Sequence, residues 1–149
     1  MMRWMLRVDD WAFLEEQRVG RLATADAAGR PHVIPVCFAR AGGRLYVPVD
    51  AKPKRGDPRA LRRLRNLRAR PEAALLLDRY DEDWRRLRWL LIYARALILD
   101  AEEGDAGRER AAALAALEAR YAQYTAMGLA ALGLPVVRLE PTAVRRWSA

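Results

Sequence analysis

Lys52, Lys54 and Arg55 are the residues of this chain best suited to gripping an acidic ligand, and they open the segment that carries all of its excess charge. Between positions 52 and 70 (KPKRGDPRALRRLRNLRAR) nine basic residues stand against one acid, Asp57. The remainder is balanced, so the net charge of +8 over 149 residues resides here. Charge this local points to one anionic partner at one place rather than to a generally cationic surface. Of 27 basic residues only Lys52 and Lys54 are lysines. An ammonium is a compact point charge that meets a phosphate in a confined place, whereas arginine presents a flat fork. Chance placement in an arginine-biased composition is the competing explanation. The cations directly follow a strand-like run and precede Gly56-Asp57-Pro58, which reads as an N-cap followed by proline at a helix start. Free N–H groups at that start would add to a phosphate site. The alternative is a solvated basic loop. The arginines further along read as a solvated helix face that raises the local potential.

Other chemistry is sparse. The single histidine, His32, and the single cysteine, Cys37, cannot form a disulfide or a Cys/His metal site. They lie five residues apart around a strand, an odd offset that places them on opposite faces. Cys37 reads as a small buried apolar residue. His32 reads as a packing or hydrogen-bonding residue near a strand start, with contact to a cofactor or substrate as the alternative. No nucleophile–base–acid arrangement, no GxGxxG after a strand and no GxxxxGK[ST] is present, so no catalytic or metal residue is named. Trp84 and Trp89 flank RRLR; they suit core or interface packing, or an aromatic wall against a planar heterocycle. Arginines with interleaved aromatics also stack bases.

The elements that must position these residues follow from periodicity and turn signals. Hydrophobic residues at 52% and charged residues at 31% describe one folded domain over 1–149. No run approaches the roughly 20 apolar residues of a membrane span. The N-terminal MMRWMLRVDDW lacks a signal-peptide core, so a reducing cytoplasm is expected. Residues 9–17 predict a helix capped by Asp9 or Asp10; 19–25, 31–40 and 45–49 predict strands joined by turns, with Gly29 available for positive φ. A helix runs from Asp57-Pro58 to before Pro71. Strands follow at 73–80 and 88–100, the latter apolar on both faces and so expected to be buried on both. A helix spans 105–124, the stretch 125–133 is unassigned, and the chain closes as one bent strand or two short ones. Tight turns between strands mean antiparallel pairing, and the prolines suggest edges or bulges, as in a small barrel, giving an α+β protein with a predominantly antiparallel sheet.

GRLATADAAGRPHVIPVCF (20–38), GRLYVPVDAKPKR (43–55), RLRNLRARPEAALLLDRYDEDW (63–84) and RLRWLLIYARALIL (86–99) together resemble the pyridoxamine-phosphate-oxidase-like split-barrel proteins, and within them the branch dependent on coenzyme F-420. The resemblance implies a six-stranded antiparallel split β-barrel (the FMN-binding split barrel) with flanking helices, forming a homodimer with cofactors in clefts between subunits. It implies that Lys52, Lys54 and Arg55 bind the cofactor phosphate, that the ring lies against Pro35 and Val36 with Thr24 nearby, and that the partner subunit adds Trp84 or Trp89. The fuller basic pattern of vitamin B6 oxidases is not evident. The concentrated positive charge favours coenzyme F-420, with its extra glutamate carboxylates, over FMN, with Arg59, Arg62 and Arg63 as tail contacts. The expected activity is hydride transfer to a small organic molecule. FMN-dependent oxidoreduction and cofactor binding without turnover are the alternatives. Nucleic acid is a disfavoured partner, and no membrane partner is expected.

Overall fold

The computed structural model describes residues 5–50 and 56–149. Seven strands form one sheet in the order β2-β1-β5-β6-β7-β4-β3, every pair antiparallel. They are β1 (Gly20–Ala25), β2 (Pro31–Val36), β3 (Ala39–Ala41), β4 (Arg44–Pro48), β5 (Glu72–Arg79), β6 (Arg88–Leu99) and β7 (Val136–Ser148). Four helices flank them: α1 (Val8–Glu16), α2 (Arg62–Ala69), α3 (Gly104–Arg120) and α4 (Ala122–Met127). The fold class is α+β, as expected, but the sheet is a curled half-barrel of seven strands rather than six.

The extra strand arises because 31–40 is not one strand. It breaks at Cys37 and Phe38, and its two parts occupy opposite edges of the sheet. Flat, those edges would lie about 29 Å apart at the usual strand spacing. Three chain steps from Val36 to Ala39 reach only about 10 Å, so the sheet has to roll until its edges meet. At the break the Phe38 N–H donates to the Tyr121 hydroxyl (3.1 Å), which is itself within donating distance of the carbonyl oxygens of Arg18 (2.9 Å) and Phe38 (3.0 Å). One side chain thus satisfies backbone groups that left the ladder.

Tyr121 also ends α3, so the helix expected over 105–124 is two helices meeting at this residue. The Asp57-Pro58 signal starts a 3-10 turn over Pro58–Ala60, with Asp57 Oδ1 accepting from the Arg59 N–H at 2.9 Å. The α-helix begins only at Arg62, behind Leu61, which offers no side-chain cap. Gly29 takes φ +84° in the β1–β2 turn, as its position demanded. β7 is one long strand, paired with β6 throughout and with β4 over Val136–Leu139. A register shift leaves Thr142 as an extra residue beside Pro141, where a missing N–H costs the ladder least.

Two cores result. One fills the curl, with Phe13, Leu22, Phe38, Leu45, Leu75 and Ile92 among its members. The other lies between α3–α4 and the β3–β4 side, around Tyr46, Leu117, Tyr121 and Tyr124. β6 is not buried on both faces. Leu90, Ile92, Ala94 and Ala96 point inward; on the other face Leu99 is buried against α3, but Tyr93 and Leu97 are 44% and 48% exposed.

Asp10 does not cap α1 from outside; it stands at the third helical position, accepts from the Arg7 N–H (2.8 Å) and is 1% exposed. Arg146 binds it through Nε (3.0 Å) and Nη2 (2.7 Å), and Arg88 lies 3.7 Å away. This ion pair ties the first helix to the last strand. Removing one member of a buried pair leaves the other uncompensated, so Asp10→Ala is expected to lower stability by about 3 kcal/mol, measured by urea unfolding.

Candidate functional site

Lys52, Lys54 and Arg55 lie outside the described residues, but the chain on both sides of them is placed. Asp50, two residues after β4, and Arg63, on the first turn of α2, line one small cavity together with Pro35, Val36, Cys37, Pro48 and Tyr124. The cavity measures about 40 Å³. Pro35 and Val36 therefore meet Asp50, just before the cationic segment, and Arg63, within it, although Val36 and Asp50 are 14 positions apart in sequence. Pro35 is exposed and Val36 buried, so β2 presents an apolar outer face beside the cavity.

Thr24 sits elsewhere on this strand pair. It is opposite His32, three residues along from the Arg21–Pro35 pair, and it is buried, accepting from Asn66 Nδ2 at 3.0 Å. That bond docks α2 onto β1. Trp84 occupies a 3-10 turn between β5 and β6 and is 69% exposed. Trp89 is opposite Asp78 and Trp147. Both tryptophans lie at the end of β6 away from the β1–β5 rung of Ala23 and Ala74, whose β6 neighbour is Tyr93. A single chain does not bring them to Thr24.

The arginines of α2 are not one solvated face. Arg63 is buried at 8% exposure, and its Nε has no hydrogen-bond partner among the described residues. Burial pulls its pKa down while Asp50 and Tyr124 pull it up. Arg59 reaches Asp100 (3.4 Å) and the Gly133 carbonyl (2.5 Å). His32 has a buried Nδ1, also unpartnered among the described residues. Its pKa lies below 6.5, through burial first and then the charges of Arg62 and Arg63. The Tyr124 hydroxyl donates to Asp50 Oδ2 at 3.1 Å. Burial, then a hydrogen-bonding contact with Cys37, then Asp50 hold it far above the usual phenol range. Sequence reasoning missed Asp50 and Tyr124. The only available signal was that Asp50 lies two residues before Lys52, the start of the cationic run.

A second concavity of about 750 Å³ lies along β6, with Arg44, Arg68, Arg95 and Arg138 around Ala96 and Leu97. Glu109 holds Arg44 (3.1 Å) and Arg138 (2.9 Å) in place. No group of three or more metal-ligating side chains exists among the described residues, and no described helix is long and apolar enough to cross a membrane.

Residues 11–148 match the family model described as pyridoxamine 5'-phosphate oxidase. The chain belongs to that family. No curated protein sequence matches it. Among solved structures it is similar to HutZ, the haem storage protein of Vibrio cholerae, with a TM-score of 0.70 and 20% identity over 97% of this chain and 94% of that one. A FAD-binding protein of Mesorhizobium loti gives 0.66 and 21% over 97% and 93%. An F420 reductase gives 0.61 and 21% over 90% and 94%. At these identities the likeness is one of fold.

The depressed His32 pKa has a consequence for stability. The unfolded chain binds that proton more readily than the folded one, so between the folded value and 6.5 stability rises with pH. The contribution is complete above 6.5 and is lost as pH falls toward the folded value. Urea midpoints followed from about pH 7.5 to about pH 5 are expected to fall less in His32→Gln than in the wild type, as removal of a titrating imidazole requires.

Proposed function

We propose that the protein is a deazaflavin-dependent oxidoreductase, binding coenzyme F-420 and transferring hydride between it and a small organic substrate. The observation that carries this reading is the convergence of Pro35 and Val36 with Asp50 and Arg63, which bracket the cations. An apolar strand face for a ring and a cationic segment for an acidic end become neighbours. The field there suits an acidic ligand, since Arg62 and Arg63 are close enough to His32 to depress its pKa. Family membership and the likeness to an F420 reductase agree with it. The extra carboxylates of coenzyme F-420 favour it over FMN at so basic a segment.

When bound, the reduced deazaflavin supplies the hydride. The chain's own part is position and electrostatics. Lys52, Lys54 and Arg55 hold the phosphate. Pro35 and Val36 support the ring without offering it competing hydrogen bonds. His32, neutral at pH 7, acts as a hydrogen-bonding group and not as a stored acid. Arg63 fixes the end of α2 nearest the loop. Trp84 or Trp89 reaches the ring from a second copy of the chain, because one chain keeps them apart from Thr24. The half-exposed Tyr93 and Leu97 are the surface that such a homodimer covers.

Fluorescence titration with coenzyme F-420 and with FMN side by side tests the cofactor. Coenzyme F-420 is expected to bind more tightly, and Lys52→Ala with Lys54→Ala to weaken it by about 1.5–3 kcal/mol per lost charge-assisted contact without loss of folding. An unchanged dissociation constant overturns the phosphate site. Tight binding with no acceptor reduced across a panel of conjugated carbonyl compounds turns the reading to a carrier. Tyr93→Asp with Leu97→Asp is expected to give a monomer by sedimentation and to lose coenzyme affinity with it. A wild-type monomer that binds the coenzyme normally overturns the shared cleft.

A further inference from the structure

The larger concavity, along β6, has a chemistry set by which of its arginines are already committed. Its lining combines four guanidinium groups, Arg44, Arg68, Arg95 and Arg138, with two carboxylates, Asp100 and Glu140. Glu109 accepts from Arg44 (3.1 Å) and from Arg138 (2.9 Å), and Glu140 accepts from Arg44 Nε (2.5 Å). Asp100 pairs with Arg59 at 3.4 Å. Both carboxylates of the lining are therefore taken, as are Arg44 and Arg138, and two guanidinium groups remain. Among the described residues Arg68, on α2, donates only to the Arg59 carbonyl, at 3.3 Å. Arg95, on β6, stands 3.7 Å from Glu72, beyond hydrogen-bonding distance. The rest of the lining is mostly apolar: Leu67, Pro71, Ala96, Leu97 and Ile98, with Leu97 half-exposed. About 750 Å³ is the size of a site for a small organic molecule. Two like charges at one hollow raise its positive potential, and the leucine there meets water. One occupant relieves both costs.

We propose that this concavity is a second ligand site, taking a small apolar acid whose carboxylate is held by Arg68 and Arg95 and whose hydrocarbon body lies against Leu97 and Ile98. An arginine fork meets a carboxylate with paired N–H donors, so two of them satisfy both of its oxygens. Glu109 and Glu140 act from behind. By neutralising Arg44 and Arg138 they confine the excess charge to Arg68 and Arg95, which gives the acid one orientation. A bare anion would answer the two guanidinium groups but leave Leu97 in water, and a neutral hydrocarbon would do the reverse. The site is separate from the strand face on which the coenzyme ring was placed, since neither Pro35 nor Val36 lines it. Of the surface assigned to a homodimer it includes Leu97 but not Tyr93.

The full chain is titrated by calorimetry with three probes: 2-naphthoate, its neutral counterpart 2-naphthylmethanol, and acetate, which is the headgroup without a body. 2-Naphthoate is expected to saturate one site per chain. The alcohol and acetate are each expected to bind at least about tenfold more weakly, as loss of the charge-assisted bonds or of the apolar contact requires. Arg68→Ala and Arg95→Ala are each expected to weaken 2-naphthoate about tenfold and to leave the alcohol unchanged. Both side chains are exposed, so neither variant is expected to move the urea midpoint. Lys52→Ala with Lys54→Ala, which tests the coenzyme phosphate site, is expected to bind 2-naphthoate as the wild type does, so the two proposals fail separately. No saturable binding of 2-naphthoate overturns the site. So does equal binding of the alcohol or of acetate, an affinity that neither arginine variant moves, or loss of 2-naphthoate binding in the lysine pair.

Discussion

Two residues, Cys37 and Phe38, join opposite edges of a seven-stranded sheet, and that short span dictates the shape of the molecule. It forces the curl. It also removes Phe38 from any ladder while burying its ring completely, so its N–H and C=O need a partner that is not a strand. The Tyr121 hydroxyl answers both needs. To deliver that hydroxyl, the long alanine-rich helix has to stop at Tyr121 and restart, and the restarted turn carries Tyr124 to Asp50. Sheet closure, helix break and the small polar cavity are thus consequences of one connection.

Charge is distributed in this fold according to whether a partner can reach it. Asp10 is buried deeply and is served by a backbone N–H and by Arg146. Arg110, 7% exposed, spends its guanidinium on the Leu134 carbonyl and so pins the segment after α4 to α3. Both are structural ties whose desolvation is offset by directed hydrogen bonds. Arg63 differs. It is as buried as Arg110, yet its Nε has no such partner among the described residues, and it stands on the first turn of α2 within the cationic segment.

Much of the scaffold was legible in the chain. Apolar runs bounded by turn signals marked β1, β4 and β5, Gly29 marked its turn, and Pro71 bounded α2, because these depend on local sterics and composition. The misreadings share a cause. Residues 31–40 look like one strand since each side of the break alternates correctly, and only the distance between sheet edges reveals the interruption. The run 88–100 looks doubly buried because both its faces are apolar, whereas the described chain leaves Tyr93 and Leu97 of one face exposed. Asp57-Pro58 does start a turn, but the local signal cannot tell a 3-10 turn from the helix that begins at Arg62.

By itself the sequence determined the family pattern, the strand-rich order of elements and the confinement of the excess charge to 52–70, all properties of neighbours along the chain. Tertiary structure alone decided that Pro35 and Val36 lie beside Asp50 and Arg63, that Tyr124 and Cys37 line one cavity, and that Arg63 is buried while other arginines of the same helix are not. The reason is that burial and proximity between distant positions are set by sheet closure and helix docking. A charge count or a hydrophobic period holds no record of either.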